Sequence, residues 1–123
     1  MKFKLAHAVI AALAAAVAAP ALAHHSFAMF DTTREIQLAN MTVREWQWTS
    51  PHTWLFAVAP NGDRYSLEGG NPGLMRRQGF TKGSMLPGMR ITIFMAPLRS
   101  GEKGGAINAV ILPGGQMLGE RKH

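Results

Sequence analysis

Apolar and polar residues alternate along residues 36–48, where Ile36, Leu38, Met41, Val43, Trp46 and Trp48 carry the apolar positions. The alternation slips by one residue between Leu38 and Met41 and again between Val43 and Trp46. A period of two marks a strand with one covered face, and each slip predicts an extra residue that bends it. Thr49, Ser50 and Pro51 interrupt the pattern, and residues 52–59 (HTWLFAVA) then form a second run rich in aromatic and aliphatic side chains. Pro60, Asn61, Gly62 and Asp63 are the strongest hairpin signal in the chain, so residues 64–68 are predicted to return antiparallel to the second strand.

After Gly69 and Gly70 the period changes. Asn71 is a cap residue, Pro72 suits the first helical position and Gly79 is a stop signal, which predicts a helix of about two turns. Leu86, Pro87 and Gly88 make a turn, residues 89–95 (MRITIFM) a fourth strand and residues 106–112 (AINAVIL) a fifth. Pro113, Gly114 and Gly115 turn the chain toward Gln116, Met117 and Leu118, and the polar tail from Gly119 to His123 is expected to fray. Three strands, one short helix and two more strands is the element order of an oligonucleotide/oligosaccharide-binding (OB) type barrel. The fold expected is therefore all-β: a small five-stranded OB-like barrel with its helix between the third and fourth strands. Closure would also remove the open edges of a small sheet. A small open β-sandwich is the alternative that the same strand count allows.

The first 23 residues read differently. Lys2 and Lys4 are followed by an Ala/Val/Leu/Ile-rich run over residues 5–19, broken only by His7, then by Pro20 and by Ala21-Leu22-Ala23. These are the three regions of a secretory signal peptide, with cleavage after Ala23. The run is short of the ~20 residues a membrane span needs. Residues 24–123 are then one domain of a periplasmic protein. Losing Lys2 and Lys4 and no acidic residue lowers its formal net charge from +6 to +4.

Composition excludes some function classes. There is no cysteine, so neither disulfides nor thiolate metal sites are available. The cations from Arg34 to Lys122 are dispersed, with only Arg76/Arg77 and Arg121/Lys122 adjacent, whereas a phosphate-tracking surface clusters them. No nucleic-acid partner is expected, and no membrane partner after cleavage. Ser26 adjoins His25 without a triad, and glycine-rich pieces such as GEKGG do not lead from a strand into a helix. No enzyme is expected.

The segments AHHSFAMFD, EWQWTSPHTWLF, YSLEGGNPGLMRRQGF, LPGMRITIFMAPLRSG and AVILPGGQML occur in this order over nearly all of residues 24–123. Together they resemble a family of small exported bacterial proteins classed only as a domain of unknown function. Phe80 stands where that pattern leads one to expect Trp. The resemblance implies a periplasmic location and brings no activity with it.

The sharpest candidate chemistry lies at the expected mature terminus. A free α-amine on His24, of pKa about 7.7 to 8.0, forms a chelate ring with its own imidazole Nδ1, which an internal histidine cannot do. Among divalent metals Cu²⁺ binds nitrogen ligands most strongly and suits a tetragonal chelate. A second imidazole, from His25 or His52, would complete the site. With His25 no fold is needed; with His52 the terminus must dock against the loop between the first two strands. Of the many methionines, Met29 lies near enough to His24 in sequence to be a thioether ligand, and most of the others are expected to fill gaps in the core. Trp46, Trp48 and Trp54 form a candidate ligand or partner face, with core packing as the competing role. Glu68 is expected to favour the nearby helix N-terminus. The functional expectation is a periplasmic small-ligand-binding protein with a copper-like metal ion held by His24, His25 or His52. The alternatives are a protein or oligosaccharide interaction module using an aromatic barrel face, and a structural accessory of the envelope.

Overall fold

The hairpin predicted at Pro60–Asp63 is where the observed architecture starts. In the computed structural model, which describes residues 28–123, the Ala59 N–H donates to Asp63 O at 2.8 Å and Gly62 adopts a φ of +90°. Asn61 Oδ1 accepts from the Asp63 N–H at 3.0 Å, an Asx turn that holds the reversal. The strands it joins are β2 (Trp54–Val58) and β3 (Arg64–Glu68), antiparallel with Leu55 opposite Leu67 and Trp54 opposite Glu68.

The strand preceding them, β1 (Ile36–Gln47), is long and bent. Its register slips between Leu38 and Met41, where Asn40 sits at a φ of 55°, and again between Val43 and Glu45. Both slips fall at the breaks in the apolar alternation. They let one strand serve two half-sheets: Ile36 to Thr42 pair with β4 (Arg90–Pro97), and Thr42 to Gln47 pair with β2. Next come β5 (Gly104–Ile111), antiparallel to β4, and the short β6 (Met117–Gly119) along the outer side of β5.

A parallel pairing of β3 with β5 closes the barrel, giving a ring β1-β2-β3-β5-β4 with β6 outside it. The closed ring excludes the open sandwich. The contact needs close backbone approach, and Gly104 permits it, since a Cβ there would strike Ser66 O of β3; at Gly105 a Cβ would instead strike Ala96 O of β4. Between β3 and β4 the chain forms α1 (Pro72–Arg77), capped by Asn71 Oδ1 accepting from the Leu74 N–H at 2.9 Å and ended at Gly79 with φ +95°. Its Met75, with Phe80 and Met85, is buried against the inward residues Val43, Leu55, Leu67, Ile91, Ile93, Met95 and Val110. Helix and barrel interior thus share one core.

The tail does not fray. Glu35, whose side chain is 3% exposed, accepts hydrogen bonds from Arg121 Nε at 3.0 Å, Asn108 Nδ2 at 3.0 Å and the Lys122 N–H at 2.7 Å. Arg121 also lies 4.3 Å over the ring of Phe94, on the outward side of β4. A buried carboxylate needs such partners, and the last residues are where the fold finds them. That need overrides the default of disordered termini.

Candidate functional site

The loop between β1 and β2 is built by short-range hydrogen bonds. Thr49 Oγ1 donates to the His52 carbonyl at 2.6 Å, and the Ser50–Pro51 peptide is cis. Thr53 is buried and locked to the end of β3: its N–H and its Oγ1 each donate to Gly70 O at 2.9 Å, while the Gly69 N–H donates to Thr53 O at 2.8 Å. Gly69 has to be glycine, because a Cβ there would run into Thr53 Oγ1.

This scaffold places His52 beside Glu68. His52 Nδ1 lies 3.2 Å from Glu68 Oε1 and 3.2 Å from Gly69 O. Both neighbours are acceptors, so the ring proton belongs on Nδ1 and the lone pair on Nε2. Nε2 has no hydrogen-bond partner among the described residues. The His52 side chain is 43% exposed and that of Glu68 16%, so the carboxylate is the sheltered support and the imidazole edge faces solvent. Glu68 therefore does not serve the helix N-terminus as expected. α1 has no acidic residue in its first turn, and Asn71 alone supplies the cap.

The three tryptophans occupy two surfaces. Trp46 faces Leu55 across the β1–β2 pair and so turns inward, where its ring is 5.9 Å from Phe80 and 5.7 Å from Trp48, and its Nε1 donates to Thr81 O at 2.9 Å. The Arg76 guanidinium lies 5.8 Å from the Trp48 ring centroid. These two tryptophans pack against the core at the α1 end of the barrel. Trp54, opposite Gln47 and Glu68, belongs to the outward face with Phe56, and their rings lie 6.4 Å apart at 16°. His52, Trp54 and Glu68 thus share one end of this face, and Trp46 and Trp48 do not join them.

His24 and His25 lie outside the described residues. Among those described, no three His, Asp or Glu side chains converge as a metal-ligand set. Met29 is 54% exposed and its carbonyl accepts from the Arg99 N–H at 2.8 Å. Met41, Met75, Met85 and Met95 are in the core, as expected of gap-filling thioethers. The pairing of Glu68 with His52 had no signal in the sequence beyond their residue types, since it depends on the β2–β3 register. Among the described residues, no helix is long and apolar enough to cross a membrane.

Comparison with known proteins gives one match: a family described as Family of unknown function (DUF6152) matches residues 11–108. No curated protein and no solved structure matches the chain.

Proposed function

We propose, from the premise that this chain belongs to the DUF6152 family of unknown function, that it is an exported small-ligand-binding barrel whose ligand is a copper-like divalent metal ion. The ion is held by the α-amine and imidazole of His24, exposed by cleavage after Ala23, together with Nε2 of His52. One observation carries this reading: the contact of His52 Nδ1 with Glu68 Oε1 and Gly69 O at 3.2 Å each. Histidines that bind metals usually donate their other ring N–H to a carboxylate or a backbone carbonyl, which fixes the tautomer and raises the basicity of the ligating nitrogen. His52 has both kinds of partner and a solvent-facing Nε2. The donor set is nitrogen-rich and lacks thiolate, which suits Cu²⁺ among divalent first-row ions.

Processing and binding are tested together. Intact-mass analysis of the exported protein should find a chain beginning at His24. Titration of that protein should show binding of Cu²⁺ near one equivalent. A form with one residue added before His24 should bind more weakly, because its amine is displaced from the chelate ring. His52→Ala should weaken binding at least about tenfold, on the scale of changes around metal ligands. Retained affinity in His52→Ala with loss in the extended form would assign the ion to a His24/His25 terminal chelate instead. Equal, weak binding by all three forms would end the metal reading.

A further inference from the structure

The outward face bearing Trp54 and Phe56 continues away from His52 to a cleft of about 290 Å³ between β1, β2 and β3. The second β1 bulge makes it. Val43 is opposite Ala57 and Glu45 is opposite Phe56, so Arg44 is the extra residue between two strand partners. Such a bulge residue shares the face of its neighbour instead of alternating, and Arg44 and Glu45 both line the cleft. On the far side Arg64 and Ser66 line it from β3, and Phe56 lines it from β2.

Arg44 and Arg64 have no carboxylate within 4.0 Å among the described residues. The one carboxylate in the cleft, Glu45, accepts instead from Gln47 Nε2 at 3.0 Å. Two guanidinium groups without a carboxylate partner thus line one concavity, and a guanidinium suits an anion of planar, bidentate geometry. Glu45 makes the cleft unfavourable for a compact polyanion and favourable for hydroxyl donors, while Ser66 donates or accepts. Phe56, half-buried and nearly parallel to Trp54, offers an apolar ring surface. Carboxylate, hydroxyls and a ring with an apolar face are united in one ligand class. At the lower end of the ~300–1,000 Å³ of small-molecule sites, the cleft holds one such ring.

We propose that the Arg44–Arg64 cleft binds the carboxylate-bearing ring of an acidic sugar, with its apolar face on Phe56. This rests on residues other than the proposed metal ligands and stands or falls apart from them. The test is an amide-resonance and calorimetric titration of the protein with trigalacturonate, its methyl ester and inorganic phosphate at fixed ionic strength. Trigalacturonate should bind and shift the resonances of Arg44, Phe56, Arg64 and Ser66. The uncharged ester should bind at least about tenfold more weakly, the scale of one lost charge-assisted contact. Arg44→Gln and Arg64→Gln, both at exposed positions that should leave folding intact, should each weaken binding similarly. Phe56→Leu should weaken trigalacturonate without changing the acid-to-ester preference. Equal binding of acid and ester, wild-type binding by both Arg44→Gln and Arg64→Gln, phosphate binding as tight as trigalacturonate, or no binding up to about 10 mM would each overturn the proposal.

Discussion

Replacing Glu35 with alanine should be among the most damaging single changes outside the barrel interior. The carboxylate is sheltered, and it collects the Arg121 guanidinium, the Asn108 amide and the Lys122 N–H at 2.7–3.0 Å. Alanine leaves the Asn108 amide and the Lys122 N–H without their acceptor, and each donor left unsatisfied costs about 1–3 kcal/mol. Arg121 is 49% exposed and can return to water, so the two orphaned donors set the loss, about 3 kcal/mol together. At about 2.1 cal/mol/K per residue, unfolding roughly 100 residues carries ~0.2 kcal/mol/K, which converts that loss into about 15 °C of Tm. The alanine variant also frees Arg121 from Phe94, so amide exchange at Lys122 should accelerate before global unfolding. Arg121→Ala should cost a comparable amount, about 1–3 kcal/mol, since the contact with Phe94 is lost and the sheltered carboxylate keeps two donors but loses its counter-charge.

The pH dependence has a definite sign. Burial pushes the Glu35 carboxyl up, but hydrogen bonds from the Lys122 N–H, Arg121 and Asn108 outweigh it and hold the carboxyl below its ordinary value of 4.5. A depressed carboxyl stabilises the fold fully above its unfolded value, and that stabilisation is lost as pH falls through the lower folded value. The Tm difference between wild type and Glu35→Ala should therefore be constant from about pH 6 to 8 and shrink below about pH 4. Thermal unfolding followed by circular dichroism measures it. A difference under about 3 °C at pH 7, or one that grows on acidification, would refute the latch.

The remaining predictions concern the core, the closure and the His52 support. Phe80→Ala empties a fully buried site beside Trp46, should cost about 3–5 kcal/mol, and should red-shift tryptophan emission in any fraction still folded; a shift in chemical denaturation midpoint worth under about 1 kcal/mol would contradict its place in the core. Gly104→Ala puts a methyl group into Ser66 O at the closing seam and should destabilise by about 1–3 kcal/mol or more, whereas a wild-type melting temperature would mean that β3 and β5 need no close approach. Glu68→Ala should change stability by no more than about 1 kcal/mol, because its contact with His52 is partly solvated. In nitrogen NMR of the neutral ring it should nevertheless reduce the population of the Nδ1–H tautomer of His52; an unchanged tautomer would mean that Gly69 O alone sets it.

Local chemistry carried much of this fold into the sequence. Pro60–Asp63 specified the hairpin, Asn71-Pro72 and Gly79 bounded α1, and the two breaks in apolar alternation marked the β1 bulges, because turns, caps and pleat periodicity are set within a few residues. Boundaries moved where neighbours decided them. β2 starts at Trp54 instead of His52, since Thr53 bonds across to Gly69 and Gly70, and β5 starts at Gly104 because β3 pairs with it there. The tail's order was not legible, because Glu35 and Arg121 are 86 residues apart and nothing local joins them. The same holds for the candidate site. Residue types alone put His52 and the three tryptophans forward as candidates, and the chemistry of a terminal amine put His24 forward. Only strand register decided that Trp46 turns inward while Trp54 turns outward, that Glu68 supports His52, and that Arg44 and Arg64 share a cleft. A one-residue bulge reverses which side of a sheet every following residue occupies, and a contact between distant strands exists only once the barrel has closed.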